Sequence, residues 1–113
     1  MHMRDVPLAK LPTDIQFAKS AALFATLANE ARLRALVALS RLGPMSVSEL
    51  LPICGLEQSA LSHHLGLLRA ASLVATERRG KQVIYALADA HVRSLLDDGL
   101  AHAAEKPARR RTS

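Results

Sequence analysis

A chain of 113 residues is long enough for one hydrophobic core and too short for two, and with half its residues apolar but only Phe17, Phe24 and Tyr85 aromatic, that core must come from aliphatic side chains, which favours helices. A net charge of +5, concentrated at Arg69, Arg78, Arg79, Lys81 and the terminal Arg109, Arg110 and Arg111, points to a polyanionic partner, nucleic acid ahead of membrane because no basic amphipathic helix stands out. The single cysteine, Cys54, excludes an intrachain disulfide or thiolate cluster and fits a reducing, cytoplasmic setting, while the lack of a long apolar run or an apolar signal core after Met1 argues against a membrane span or export.

Residues 1–12, with Pro7 and Pro12, read as a flexible arm. Thr13 is placed to cap a helix whose Ile15, Phe17, Ala18, Ala21, Ala22, Phe24, Ala25 and Leu27 outnumber its polar positions. That helix is expected to be largely buried, between two subunits. Asn29 opens a second helix through Leu33, Leu36, Val37 and Leu39 to a stop at Gly43-Pro44, with Arg32 and Arg34 on its polar side. Ser46 and Glu49 form a capping box for a short helix carrying Val47, Leu50 and Leu51. After a tight turn at Cys54-Gly55-Leu56, a further helix turns Leu61, Leu65 and Leu68 inward and leaves Gln58, Ser59, Ser62 and His63 outward near its start. Beyond Ser72 the pattern alternates. Leu73–Glu77 and Gln82–Leu87 are strand-like, and Arg78-Arg79-Gly80-Lys81 between them makes a basic hairpin tip.

The last periodic segment starts at Asp89, has Val92, Leu95, Leu96 and Leu100 as core positions, and holds Gly99 in its interior, where close approach of a second helix would explain a glycine. Pro107 ends it, leaving 107–113 as a disordered basic tail and 13–106 as the folded domain. Asp89 taken alone is a helix cap. Together with His91, His102 and Glu105 it makes two imidazoles and two carboxylates along one stripe, since at ~100° per residue His91, His102 and Glu105 fall within roughly 60° of one another. His91 and His102 are eleven residues apart, about 16 Å along a helix, whereas ligands of one zinc lie ~2 Å from the ion. One helix cannot close such a site. Pairing it antiparallel with its own copy brings Asp89 and His91 of one chain against His102 and Glu105 of the other, so the spacing predicts a homodimer as well as a metal.

A short helix, a tight turn, a helix with small polar residues at its exposed start and a basic hairpin make a mainly α, winged helix-turn-helix fold. The second helix suits the major groove of double-stranded DNA, with Gln58 able to bond adenine and Ser59, Ser62 and His63 within reach of base edges or phosphates. Arg78, Arg79 and Lys81 would meet the backbone or minor groove, whereas His64 and Leu65 read as packing residues. Catalysis by Ser62 with His63 or His64 is disfavoured, because neighbours on a helix point apart and no phosphate-binding glycine loop accompanies them.

The segment from Ser59 to Arg69, which contains Ser62-His63-His64-Leu65, followed by Leu73-Val74 and the hairpin Arg79–Leu87, resembles the ArsR/SmtB family of metal-responsive winged-helix repressors over residues 14–105. The resemblance implies a homodimer on imperfectly palindromic promoter operators, released by metal. Asp89-Ala-His91 and His102-Ala-Ala-Glu105 are similar in spacing to the last-helix intersubunit site of its zinc-sensing branch, which implies zinc, with cobalt as a mimic. Thiolate-sensing relatives carry a Cys-x-Cys motif where this chain has Glu49-Leu-Leu-Pro-Ile-Cys54, so sensing of arsenic, lead or cadmium is not expected. The alternatives are a regulator of the same family sensing nickel or cobalt with an added ligand from the arm, where His2 is available, or one answering a non-metal signal.

Overall fold

The computed structural model describes residues 7–107, so His2 and Arg109–Arg111 lie outside the described residues. A short 3-10 turn, Leu8–Lys10, sits within the predicted arm. The helix α1, Asp14–Leu27, starts at a reciprocal capping box in which Thr13 Oγ1 accepts from the Gln16 N–H and the Thr13 N–H donates to the Gln16 side chain. Asn29 Oδ1 accepts from the Arg32 N–H and opens α2, Glu30–Leu42. Ser46 and Glu49 close the expected box at the start of α3, Val47–Cys54. Gly55 then takes φ 64°, the left-handed conformation that lets the chain reverse into α4, Gln58–Ala70.

The end of α4 has a feature that composition hides. Ser72 sits at φ 58°, its N–H bonding the Arg69 carbonyl while that of Leu73 bonds the Leu68 carbonyl. This is a Schellman motif with serine where glycine is usual. It turns the chain directly into the strand Val74–Arg79.

That strand pairs with Gln82–Leu87 through a two-residue loop in which Gly80, at φ 61°, takes the position where a II′-type hairpin turn requires glycine. The first strand therefore runs two residues further than expected, to Arg79. The sheet also has a third member. Met45–Ser46, β1, pairs antiparallel with the second hairpin strand in the register Met45 with Tyr85 and Ser46 with Ile84. Numbering the hairpin strands β2 and β3, the order is β1-β3-β2. A two-residue strand carries no alternation to read, so this pairing was invisible in the sequence.

The helix α5, Ala90–Ala104, returns along the body, and the core is the expected aliphatic one: Leu36 and Leu39 from α2, Leu50 from α3, Leu61, Leu65 and Leu68 from α4. Val92 and Leu96 of α5 close it from the other side. The expectation of a buried first helix is not met within one protomer. Of its residues Leu27 alone is buried, and Ile15, Phe17 and Phe24 are exposed, because α1 lies against one end of α2 and has no second layer over its outer face.

Candidate nucleic-acid interface and metal positions

The first two turns of α4 present Gln58, Ser59, Ser62 and His63 to solvent while Leu61, Leu65 and Leu68 are buried. Glu57 precedes the helix without a side-chain cap, so the N–H groups of the first turn stay available to an anion, with the positive end of the helix dipole behind them.

The basic tip is less uniform than its sequence suggests. Register places Val74, Thr76 and Arg78 on the face shared with Val83, Tyr85 and Leu87, which packs toward the core, and puts Arg79 with Glu77 on the other. Arg78 donates to the Gly80 carbonyl, and Arg79 lies 3.5 Å from Glu77. Arg78 and Arg79 therefore diverge, and Arg79 is partly neutralised by its neighbour. Lys81 is exposed in the loop.

Arg32 is the residue that sequence reasoning misplaced. It is half-buried, not on the polar side of α2: its Nε donates to the Thr26 carbonyl at 2.6 Å and its Nη1 meets His64 Nδ1 at 3.2 Å. Arg34 does face outward, paired with Glu30 at 2.8 Å. His64 is half-buried and meets Arg32; burial, then Arg32, then His63 push its pKa below the ordinary imidazole value. Cys54 is buried at the turn, where desolvation raises its thiol pKa and Arg34 offsets part of that rise.

Asp89, His91, His102 and Glu105 form two pairs at opposite ends of α5. His91 Nδ1 lies 3.7 Å from Asp89 Oδ1, and His102 Nδ1 lies 3.8 Å from Glu105 Oε2. Both imidazoles are open to solvent, at 98% and 88% of their full side-chain exposure. These separations are too long for hydrogen bonds but near the ~3.4 Å between two ligands on one tetrahedral zinc with ~2.1 Å bonds. The two carboxylates are not on the helix proper. Asp89 is the N-cap, its Oδ1 accepting from the Val92 N–H, which leaves Oδ2 free. Glu105 is the C-cap in extended conformation, since Pro107, two residues on, stops the helix. Among the described residues no group of three such potential ligands comes together within one protomer. Beside this stripe runs an apolar groove of about 370 Å³, lined by Phe24, Leu27 and Leu33 on one side and Leu95, Gly99 and Ala103 of α5 on the other. A Cβ added to Gly99 would meet nothing within the protomer.

The described residues contain no helix long and apolar enough to cross a membrane. Residues 29–76 match the family model described as bacterial regulatory protein, arsR family. The chain is 42% identical over 92 residues to the HTH-type transcriptional regulator NmtR of Mycobacterium tuberculosis, covering 80% of this chain and 76% of that one. It is 38% identical over 90 residues to the transcriptional repressor SmtB homolog of Synechocystis sp., covering 80% and 67%. The crystal structure of M. tuberculosis Rv0081 superimposes with a TM-score of 0.75 at 39% identity, covering 81% of this chain and 92% of that one.

Proposed function

The chain belongs to the arsR family of bacterial regulatory proteins, so it is a winged helix-turn-helix transcriptional regulator and not an enzyme, and from that premise we propose that it is a homodimeric, zinc-responsive repressor. The observation that carries this reading is the division of four donors into two pairs at opposite ends of α5, each too small to hold a metal alone. The groove beside them supports the dimer. Stepping ~100° per residue, Leu95 and Gly99 fall within about 80° of His91 and His102, so a second copy that fills the groove also reaches the histidines. Antiparallel pairing of α5 with its copy then joins Asp89 and His91 to His102 and Glu105 of the partner subunit, twice per dimer.

Two neutral imidazoles and two carboxylates suit tetrahedral zinc, which when bound would cross-link the two copies of α5. In the unlinked dimer Gln58, Ser59, Ser62 and His63 of each α4 enter successive major grooves of a palindromic operator, and Arg78, Arg79 and Lys81 add phosphate contacts. Cross-linking would change the setting of the two α4 helices and would weaken operator binding by roughly 5- to 150-fold, the range of a typical coupling free energy. A nickel or cobalt site with six ligands needs two donors beyond these four, and His2 lies outside the described residues.

The test is operator affinity of the purified dimer for its own upstream DNA with and without zinc. His91→Ala and His102→Ala homodimers should lose stoichiometric binding and zinc-dependent release, while a heterodimer of the two keeps one intact site. Homodimers that still bind zinc with wild-type affinity and still release DNA would refute the α5 site. With cobalt substituted, the strong visible absorption of a tetrahedral site is expected, and a weak octahedral spectrum would favour the six-ligand alternative.

A further inference from the structure

Arg32 spans three elements. Its own N–H is held by Asn29 Oδ1 at the start of α2, its Nε reaches the Thr26 carbonyl at the end of α1, and its Nη1 reaches His64 on α4. Thr26 lies in the last turn of α1, where carbonyls lack helical partners and carry the negative end of the helix dipole, so a guanidinium is well matched there. A guanidinium has no acceptor. His64 Nδ1 must therefore be unprotonated, with the ring proton on Nε2. The planar fork makes both bonds from one rigid group and so fixes the angle between the helices it joins.

We propose that Arg32 is a positioning residue for DNA recognition, its guanidinium tying the recognition helix α4, through neutral His64, to the end of the helix α1 that flanks the dimer groove. This rests on the DNA-binding, dimeric reading above. A palindromic operator presents its half-sites about 34–36 Å apart, so each α4 must keep a fixed setting relative to the dimer face. His64 directly follows Ser62 and His63, which lie on the outer side of the same turn. Holding its ring holds the base-reading residues.

The groups facing the His64 ring are Arg32 from α2, which also carries the Thr26 carbonyl of α1, and His63 on α4 itself, with ring centroids 5.9 Å apart. Protonation of Nδ1 removes the acceptor and sets an imidazolium against the guanidinium. The pKa of His64 is lowered in the fold, so the tie is fully present above the ordinary histidine value and is lost as pH falls through the lowered one.

The experiment measures binding of the full chain to operator and to scrambled duplex of equal length by anisotropy from pH 5 to 8. It compares wild type with Arg32→Ala, His64→Ala and His64→Asn, the last keeping an acceptor near the Nδ1 position without a titrating proton. At pH 7.5 Arg32→Ala and His64→Ala are expected to lower the operator-to-scrambled ratio roughly tenfold, the size of one charge-assisted hydrogen bond, while His64→Asn keeps it. On acidification the wild-type ratio should fall further than that of His64→Asn; His63 is present in both, so its own protonation cancels in the comparison. Identical pH profiles for wild type and His64→Asn would overturn the tie, as would a wild-type ratio in a folded Arg32→Ala. Should Arg32→Ala fail to fold, the comparison of wild type with His64→Asn decides. A wild type with no operator preference at any pH overturns the DNA-binding reading and the tie together, whereas a wild type with preference but no difference from His64→Asn overturns the tie alone.

Discussion

Replacing Phe24 with alanine tests whether a second chain fills the groove between α1 and α5. Phe24 is 54% exposed in the protomer and lines that groove, outside the core. A phenylalanine presents on the order of 200 Å² of surface, so about 100 Å² of it remains to be covered. At ~25 cal/mol per Å² that amounts to about 2.5 kcal/mol per chain, and two-fold symmetry doubles it to about 5 kcal/mol per dimer. Alanine retains part of the contact, so a loss of about 3–4 kcal/mol is the realistic figure, or roughly a 10²- to 10³-fold weaker dissociation constant. Folding of the protomer should be nearly unaffected. Sedimentation velocity from nanomolar to micromolar concentration should show monomer where the wild type is dimeric, with the far-ultraviolet circular dichroism unchanged. A Phe24→Ala chain with the wild-type dissociation constant would refute the assignment of this groove to the dimer.

On the DNA side, Gln58→Ala and Ser62→Ala should reduce discrimination between operator and scrambled DNA, whereas Lys81→Ala and Arg78→Ala should weaken both alike and lower the salt slope by about one each. Arg79→Ala should do less, because Glu77 already faces that guanidinium; equal losses of specificity from all of these changes would defeat the division of roles. In thermal or urea unfolding Ser72→Gly should stabilise the chain by about 1 kcal/mol, since φ 58° is strained for serine and free for glycine; a destabilised variant would mean that the serine side chain contributes more than its backbone strain costs. Ser46→Ala should destabilise by about 1 kcal/mol, as it removes the hydroxyl that caps the Glu49 N–H at the start of α3, and an unchanged midpoint would show that water replaces it.

Much of the fold was written locally. The capping boxes at Thr13 and Ser46, the turn at Gly55, the Leu61, Leu65 and Leu68 stripe and the change to alternation after Ser72 involve residues within a turn or two of one another, so spacing alone reveals them. The same spacing showed that one helix cannot hold a metal with His91 and His102, which is a statement about distance along a rigid rod. Tertiary structure decided what joins distant segments: the pairing of Met45–Ser46 with β3, and the bridge from Thr26 through Arg32 to His64. A two-residue strand has no period, and a lone arginine near a helix start looks the same whether it faces water or a neighbouring helix. Which of these it does depends on what the rest of the chain packs beside it, and that information is not local.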